Sequence, residues 1–384
     1  MSHAALDGLL VADFTRVLAG PLCSQTLGDL GADVIKVERP LTGDDTRAWG
    51  PPFSDEGATY YLGLNRNKRS LVLDLSDAAD VELARELCSR ADVVLESFRP
   101  GTMERFGLGW DEVRALNPRA VYGSVNGFGS GPQGRQMPGY DLLLQAMGGL
   151  MSVTGEAGDD DRPLKVGAAL VDLICGLYLT SAVLAALHAR ERTGAGQHVE
   201  VSLMESVLAA LLNQGSGFLN AGVVPGRMGN RHPSIAPYET FPTADGDIAI
   251  AAGNDAIFER LCGVLGDPEL GADARFRTNA ARLEHRDELA EAIQSALAAD
   301  GAVSWTERLG AAGVPAGPVN DVAAAYALAE RLGLDPVVET EGVRGARSPM
   351  RMDGTPVVAR RRPPRLGEHD AELRAWLAEP HQQR

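Results

Sequence analysis

The sequence predicts an α/β protein with a large parallel-sheet domain and a smaller α/β domain, and three observations lead there. At 384 residues the chain is long enough for two domains with a sizeable core. From residue 8 to about 130, short apolar runs alternate with amphipathic helical segments, a pattern that builds parallel sheets with helices on both faces. Near residue 205 the pattern breaks, passes through a stretch rich in Gly, Asn and Pro, and resumes as a second, shorter α/β series.

Taken in order, LLVADF (9–14) reads as a buried strand, TRVLAGP as a Gly/Pro turn, PLCSQTLGDLGA as an amphipathic helix and DVIKVE (33–38) as the next strand. The cycle repeats with the strand SLVLDL (70–75), the helix DAADVELARELCSRA and the strand DVVLESF (92–98). One helical segment, TMERFGLGWDEVRALNP, then leads to the strand AVYGSVNGF. After a long apolar helix come the strand HVEVSL and the helix MESVLAALLNQ. The second series has a strand in DIAIAAG, helices over 255–265, 283–299 and 302–312, the turn GVPAGPVN and the helix VAAAYALAERLG. The tail carries strand-like VVETEGV and PVVAR, then a Pro-rich turn into a last helix. The domain reading is 1–212 for the large domain, 213–237 for a linker, 238–325 for the small domain, and 326–384 for a second linker and a return to the large domain.

Within this order one stretch raises a question. Gly167 to Leu187 is long enough for a bilayer and carries a single charge, Asp172. Gly176, Tyr178, Thr180 and Ser181 interrupt it and no second such segment exists, so it reads as a buried core helix and no membrane partner is expected. Asp172 would then be either a helix cap or a functional group. The four cysteines are isolated, which fits reduced thiols in a cytoplasmic protein and no metal site. No secretory leader is expected.

A net charge of -16 argues against nucleic acid as the main partner. An anionic ligand would need a local cluster of cations, and the strand ends supply one. They read Phe14 to Ala19, Glu38-Arg39-Pro40, Leu73-Asp74-Leu75-Ser76 and Ser97-Phe98-Arg99-Pro100. Arg16, Arg39 and Arg99 fall at three of the four, with Arg47, Arg66, Lys68, Arg69 and Arg105 close in sequence. Ligands of parallel sheets bind beyond such ends, so a nucleotide-like anion is expected there; the plain alternative is loop cations facing solvent. RVLAGP lacks the GxGxxG spacing and no P-loop occurs, which disfavours dinucleotide and ATP chemistry.

Together these residues resemble class III CoA-transferases, the group of formyl-CoA transferase and crotonobetainyl-CoA:carnitine CoA-transferase. ADFTRVLAGPLCSQTLGDLGADVIKVERP, LNRNKRSLVLDL, ADVVLESFRPGTMERFGLGW, YDLLLQAMGGLMSVTG, the segment from GAALVD to VSLMES, GVPAGPVN and PPRLGEHDAEL follow the family order over nearly the whole chain. The resemblance implies a Rossmann-like large domain, a smaller α/β domain and an interlocked homodimer. It implies that Asp172 is the nucleophile, attacking an acyl-CoA thioester to give an anhydride and then carrying CoA as a thioester itself. A helix N-terminus is expected to keep that carboxylate ionised. The resemblance also places CoA, a substrate and not a permanent cofactor, against Leu18, Ala19, Arg39, Leu73, Asp74, Leu75, Ser76, Ser97, Phe98, Arg99, Arg105 and Tyr140. Arg39 and Arg105 would meet phosphates.

Two departures stand out. Pro138 replaces a Lys before Tyr140, and NRHPSIAPYETFPTADG replaces the Gly-rich loop of formyl-CoA transferase. The acceptor acid is therefore expected not to be oxalate, and His232 and Tyr238 are expected in a substrate loop. Related α-methylacyl-CoA racemases place a His where this chain has Tyr140. A phenol, ionising at about pH 10, is a poor base at neutral pH. Racemisation is thus the alternative activity, and a non-catalytic CoA-binding protein the second.

Overall fold

The computed structural model describes residues 4–158 and 162–380, which divide into two units. Among these residues the larger comprises 4–150, 165–224 and 335–380, and the smaller 151–158, 162–164 and 225–334.

The large unit is built on six parallel strands: β1 Leu10–Phe14, β2 Asp33–Glu38, β3 Lys68–Val72, β4 Val93–Glu96, β5 Val121–Asn126 and β6 His198–Ser202. Their spatial order is β3-β2-β1-β4-β5-β6. The order reverses between β1 and β4, the switch point at which such sheets open a crevice beyond their carboxyl ends. Val11 registers against Val34 on one side and Val93 on the other. Strand side chains alternate between two cores. Val11, Val34, Val93 and Val121 enter one, and Ala12, Ile35, Leu71 and Val94 the other. Helices cover both faces, and most strand positions are apolar, with Asp13, Lys36 and Lys68 buried among them.

The helices that position the crevice are α1 Ala19–Asp29, α2 Ala78–Arg90, α3 Thr102–Arg105, α4 Trp110–Leu116, α5 Asp141–Met147, α6 Leu170–Thr193, α7 Leu203–Ala210 and α8 Leu212–Ala221. Asp77 caps α2, accepting from the Ala79 and Asp80 N–H groups. The long apolar helix is α6. It is the one described helix with the length and composition to cross a bilayer, and it buries Val171, Cys175, Leu179 and Val183 in the core with Cys23 and Leu27 of α1. A Cβ at Gly176 would stand 2.6 Å from the Ala19 carbonyl oxygen, so glycine is what lets α6 approach α1.

The small unit holds an antiparallel sheet with β8 Asp247–Ala251 between β7 Tyr238–Pro242 and β9 Ala316–Pro318. Its helices α9 Asp255–Leu265, α10 Arg286–Leu297 and α11 Ala302–Ala311 close a core around Phe241, Ile248, Phe258, Ile293 and Trp305. His232 lies 5.2 Å from the Tyr238 ring. The last helix of the large unit is α12, Asp370–Ala378.

Several boundaries differ from expectation. TMERFGLGWDEVRALNP is two helices because Gly107 takes a φ of 67°, which stops α3 before α4 begins. The stretch expected as a linker from 213 is helical to Ala221, with the break at Leu212 (φ 38°) dividing α7 from α8. VVETEGV is a hairpin turning on Glu341 and Gly342, both left-handed, and PVVAR forms no strand. Residues 151–164 fall in the small unit, where Arg227 donates to the Glu156 and Gly158 carbonyls.

Candidate active site

Two neighbouring cavities lie beyond the carboxyl ends of the strands. The first, of about 270 Å³, is lined by Leu18, Ala19, Ser97, Phe98, Arg99, Tyr140 and Asp172. The second, of about 250 Å³, is lined by Arg39, Leu73, Asp74, Leu75, Ser76 and Phe98. Arg16 and Phe98 line both, with the Arg16 guanidinium 4.8 Å from the Phe98 ring centre. The Arg16 N–H donates to Ser97 Oγ at 2.9 Å, tying the ends of β1 and β4 together at the switch point.

Arg39 borders the second cavity, its guanidinium donating to Asp45 and, at 2.7 Å, to Thr42 Oγ1. The Ser76 N–H and hydroxyl donate to Asp74, holding its carboxyl below the ordinary value. Arg105 is different. It is exposed on α3, donates to Thr102 Oγ1 at 3.3 Å and lines neither cavity. The other cations of the sequence cluster are engaged elsewhere: Arg47 with Glu38, Arg66 with Asp29, Lys68 with Asp13, and Arg69 with Asp33 and Glu372. Arg16, Arg39 and Arg99 are the ones the fold brings to the cavities.

Asp172 sits in the first turn of α6, only 9% exposed. It is not the cap. The N-cap position is Ala169, which has no capping side chain, and the N–H groups of Val171 and Asp172 donate instead to Asp141 Oδ1 at 2.9 and 3.4 Å. Asp141 comes from α5 and is itself held by Gln145 at 2.6 Å. The helix end therefore spends its free donors on Asp141, leaving Asp172 buried beside a second carboxylate. Burial first, and the Asp141 charge second, push its pKa up to about 7. The helix end was expected to keep Asp172 ionised, but its free N–H groups go to Asp141 and not to the Asp172 carboxylate.

Sequence reasoning passed over two neighbours. Asp141 follows Tyr140 in GYDLLLQ, but capping from a different helix leaves no spacing signal. Tyr60 is pushed up to about 12 by burial and by Asp172 and Asp141, which places its phenol near the carboxylate pair. All four cysteines are free and buried.

The family model described as CoA-transferase family III matches residues 6–370. The chain belongs to CoA-transferase family III. A succinate–glutarate CoA-transferase of Agrobacterium fabrum is 42% identical to this family III enzyme, over 97% of its chain and 95% of the relative's. An acetyl-CoA:oxalate CoA-transferase of Acetobacter aceti is 41% identical, over 97% and 96%. A crystal structure of a CAIB/BAIF family protein from Brucella suis superposes with a TM-score of 0.89 at 42% identity, covering 98% of this chain and all of that one.

Proposed function

We propose that this CoA-transferase moves CoA between two dicarboxylic acids, with Asp172 as the group that carries it. The observation that bears most weight is Asp172 itself, a nearly buried carboxylate on the wall of one cavity, next to a second cavity edged by Arg39 and the Leu73–Ser76 loop. In this reading the second cavity takes the nucleotide end of CoA and the first takes the thioester. Phe98 and Leu75 offer apolar surface to the adenine, and Arg39 a guanidinium to phosphate.

The steps balance without a co-reactant. An Asp172 oxygen attacks the thioester carbonyl, the C–S bond breaks, and CoA leaves as thiolate with an anhydride left on Asp172. The thiolate then attacks the Asp172 carbonyl carbon and expels the donor as a free carboxylate. The acceptor carboxylate repeats both steps in reverse, restoring Asp172 and releasing the new thioester. No water enters, so the thioester energy is kept.

Dicarboxylates are favoured because the relatives named for succinate, glutarate and oxalate match this chain over nearly its full length. The oxalate-using relative removes the ground for excluding oxalate. Racemisation draws no support from Tyr140, which is 61% exposed. The pairing into a homodimer is supported by apolar side chains left open on successive helices: Leu142 and Met147 on α5, Leu173, Leu177 and Tyr178 on α6, and Phe218 and Leu219 on α8.

Mass analysis of products from succinyl-CoA with oxalate, glutarate and a monocarboxylic acid tests this reading. New dicarboxylyl-CoA should form with the parent enzyme and fall by about 10³-fold or more in Asp172→Ala. Turnover surviving in that variant, or transfer to the monocarboxylic acid alone, contradicts it.

A further inference from the structure

Four charged side chains lie beneath the turn that joins β1 to α1. Asp13, Lys36 and Lys68 are fully buried and Asp44 is 1% exposed. Lys36 Nζ donates to the Thr15 carbonyl at 2.9 Å and pairs with Asp44 at 2.8 Å. Asp44 Oδ1 accepts from the Val17 N–H at 3.4 Å and the Thr46 N–H at 3.0 Å. Asp13 accepts from the Thr15 N–H at 2.9 Å and from the Ser24 hydroxyl. Lys68 Nζ donates to the Pro21 carbonyl at 3.0 Å and pairs with Asp13 at 3.3 Å. The segment from Thr15 to Pro21 is thus pinned at both ends and in its middle.

Stability does not account for this arrangement. The two acids and two bases cancel in charge, yet each buried ion loses several kcal/mol of solvation, and apolar replacements of buried pairs are often as stable or more so. The quartet does supply a fixed position for a strained turn. Val17 has a φ of 70°, a region that β-branched residues avoid and that persists only where the surroundings enforce it. Leu18 and Ala19 follow at once, on the wall of the cavity that Asp172 also lines.

We propose that Lys36 and Asp44, backed by Asp13 and Lys68, are positioning residues for CoA transfer. They hold the Val17 turn so that Leu18 and Ala19 keep the thioester placed against Asp172. Lys36 and Asp44 also border the second cavity, but their donated and accepted hydrogen bonds go to the turn, so the quartet acts through the turn and not on the acyl group. The assignment rests on Asp172 being the nucleophile, so the parent enzyme and Asp172→Ala are assayed alongside. An inactive parent, or an active Asp172→Ala, defeats that reading and this one with it, whereas failure of this one alone shows only in the quartet variants.

The decisive variant removes both charges at once, Lys36→Met with Asp44→Leu, leaving no unpaired buried ion. Circular dichroism and melting, CoA affinity by calorimetry, and kcat and KM for succinyl-CoA are measured on it and on the parent. A folded protein with CoA affinity within about threefold and kcat lower by about 10²-fold is expected, the scale of loss that a small misplacement of reacting groups produces. A folded variant with kcat close to the parent's overturns the proposal. So does a rise in KM at unchanged kcat, which would make the pair part of the CoA-binding surface. Should the double variant not fold, Asp44→Asn against Asp44→Ala decides, because Asn keeps the acceptor for the Val17 N–H. Recovery of kcat in the Asn variant supports the proposal, and equal kcat in the two overturns it.

Discussion

At the scale of single residues, the chemistry turns on a carboxylate in tension. In the proposed role of nucleophile Asp172 must be ionised, yet burial and Asp141 raise its pKa to about 7. The value of kcat/KM for acyl-CoA, which reports ionisations of the free enzyme, should therefore rise with pH through about 7 and level off above it. The linkage has the opposite sign for folding. A raised folded-state pKa gives stability that is full below the ordinary aspartate value and lost as pH climbs through 7, by up to about 1.4 kcal/mol per pH unit. Asp172→Ala should consequently melt higher relative to the parent at pH 8 than at pH 5. A flat rate profile from pH 5 to 8, with parallel melting curves, contradicts the assignment. Asp172 was legible in the sequence as one charge in an apolar run. Its titration was not, because it depends first on burial and then on Asp141, 31 residues earlier and on another helix.

Among the elements, the closest approach is that of α6 to α1. Replacing Gly176 with Ala puts a methyl group 2.6 Å from the Ala19 carbonyl, a backbone atom that yields only if a helix moves. Overpacking of this kind costs about 1–3 kcal/mol, against the gain of about 1 kcal/mol that Ala normally brings to a helix. The two helices carry Ala19 and Asp172, so a shift should also lower kcat. Gly217 in α8 has nothing within 4 Å of its absent Cβ, and there Ala should stabilise by about 0.5–1 kcal/mol. Thermal melting and turnover of the two variants check this, and equal effects at both positions would contradict it. β1, β2 and β4 were legible because burial on both faces leaves them largely apolar, whereas β3 opens on Lys68 and Arg69, two residues before the apolar run that signals it. The division of α3 from α4 was hidden in a helix-compatible composition, where one left-handed glycine decides.

For the whole molecule, length and the change of pattern announced two α/β series, and the sheet order of the first puts its switch point between β1 and β4. The excursion of residues 151–164 into the small unit left no trace in the sequence, since it carries no periodic pattern of its own. Arg39, though paired with Asp45, lies at the edge of the second cavity, while Arg47, Arg66 and Lys68, equally basic in sequence, border neither of the two. Their carboxylate partners, gathered only by folding, remove them from ligand binding. The exposed apolar side chains of α5, α6 and α8 are the surface on which the proposed homodimer would form.

One measurement tests the transfer account most directly: mass spectrometry of the intact enzyme after brief mixing with succinyl-CoA and no second acid, sprayed first natively and then after denaturation. The native species should have twice the subunit mass. The denatured parent should hold a fraction of subunits heavier by CoA less one water, lost on hydroxylamine treatment and absent from Asp172→Ala. A denatured parent that never gains this mass, or an adduct that persists in Asp172→Ala, would contradict the claim that Asp172 carries CoA.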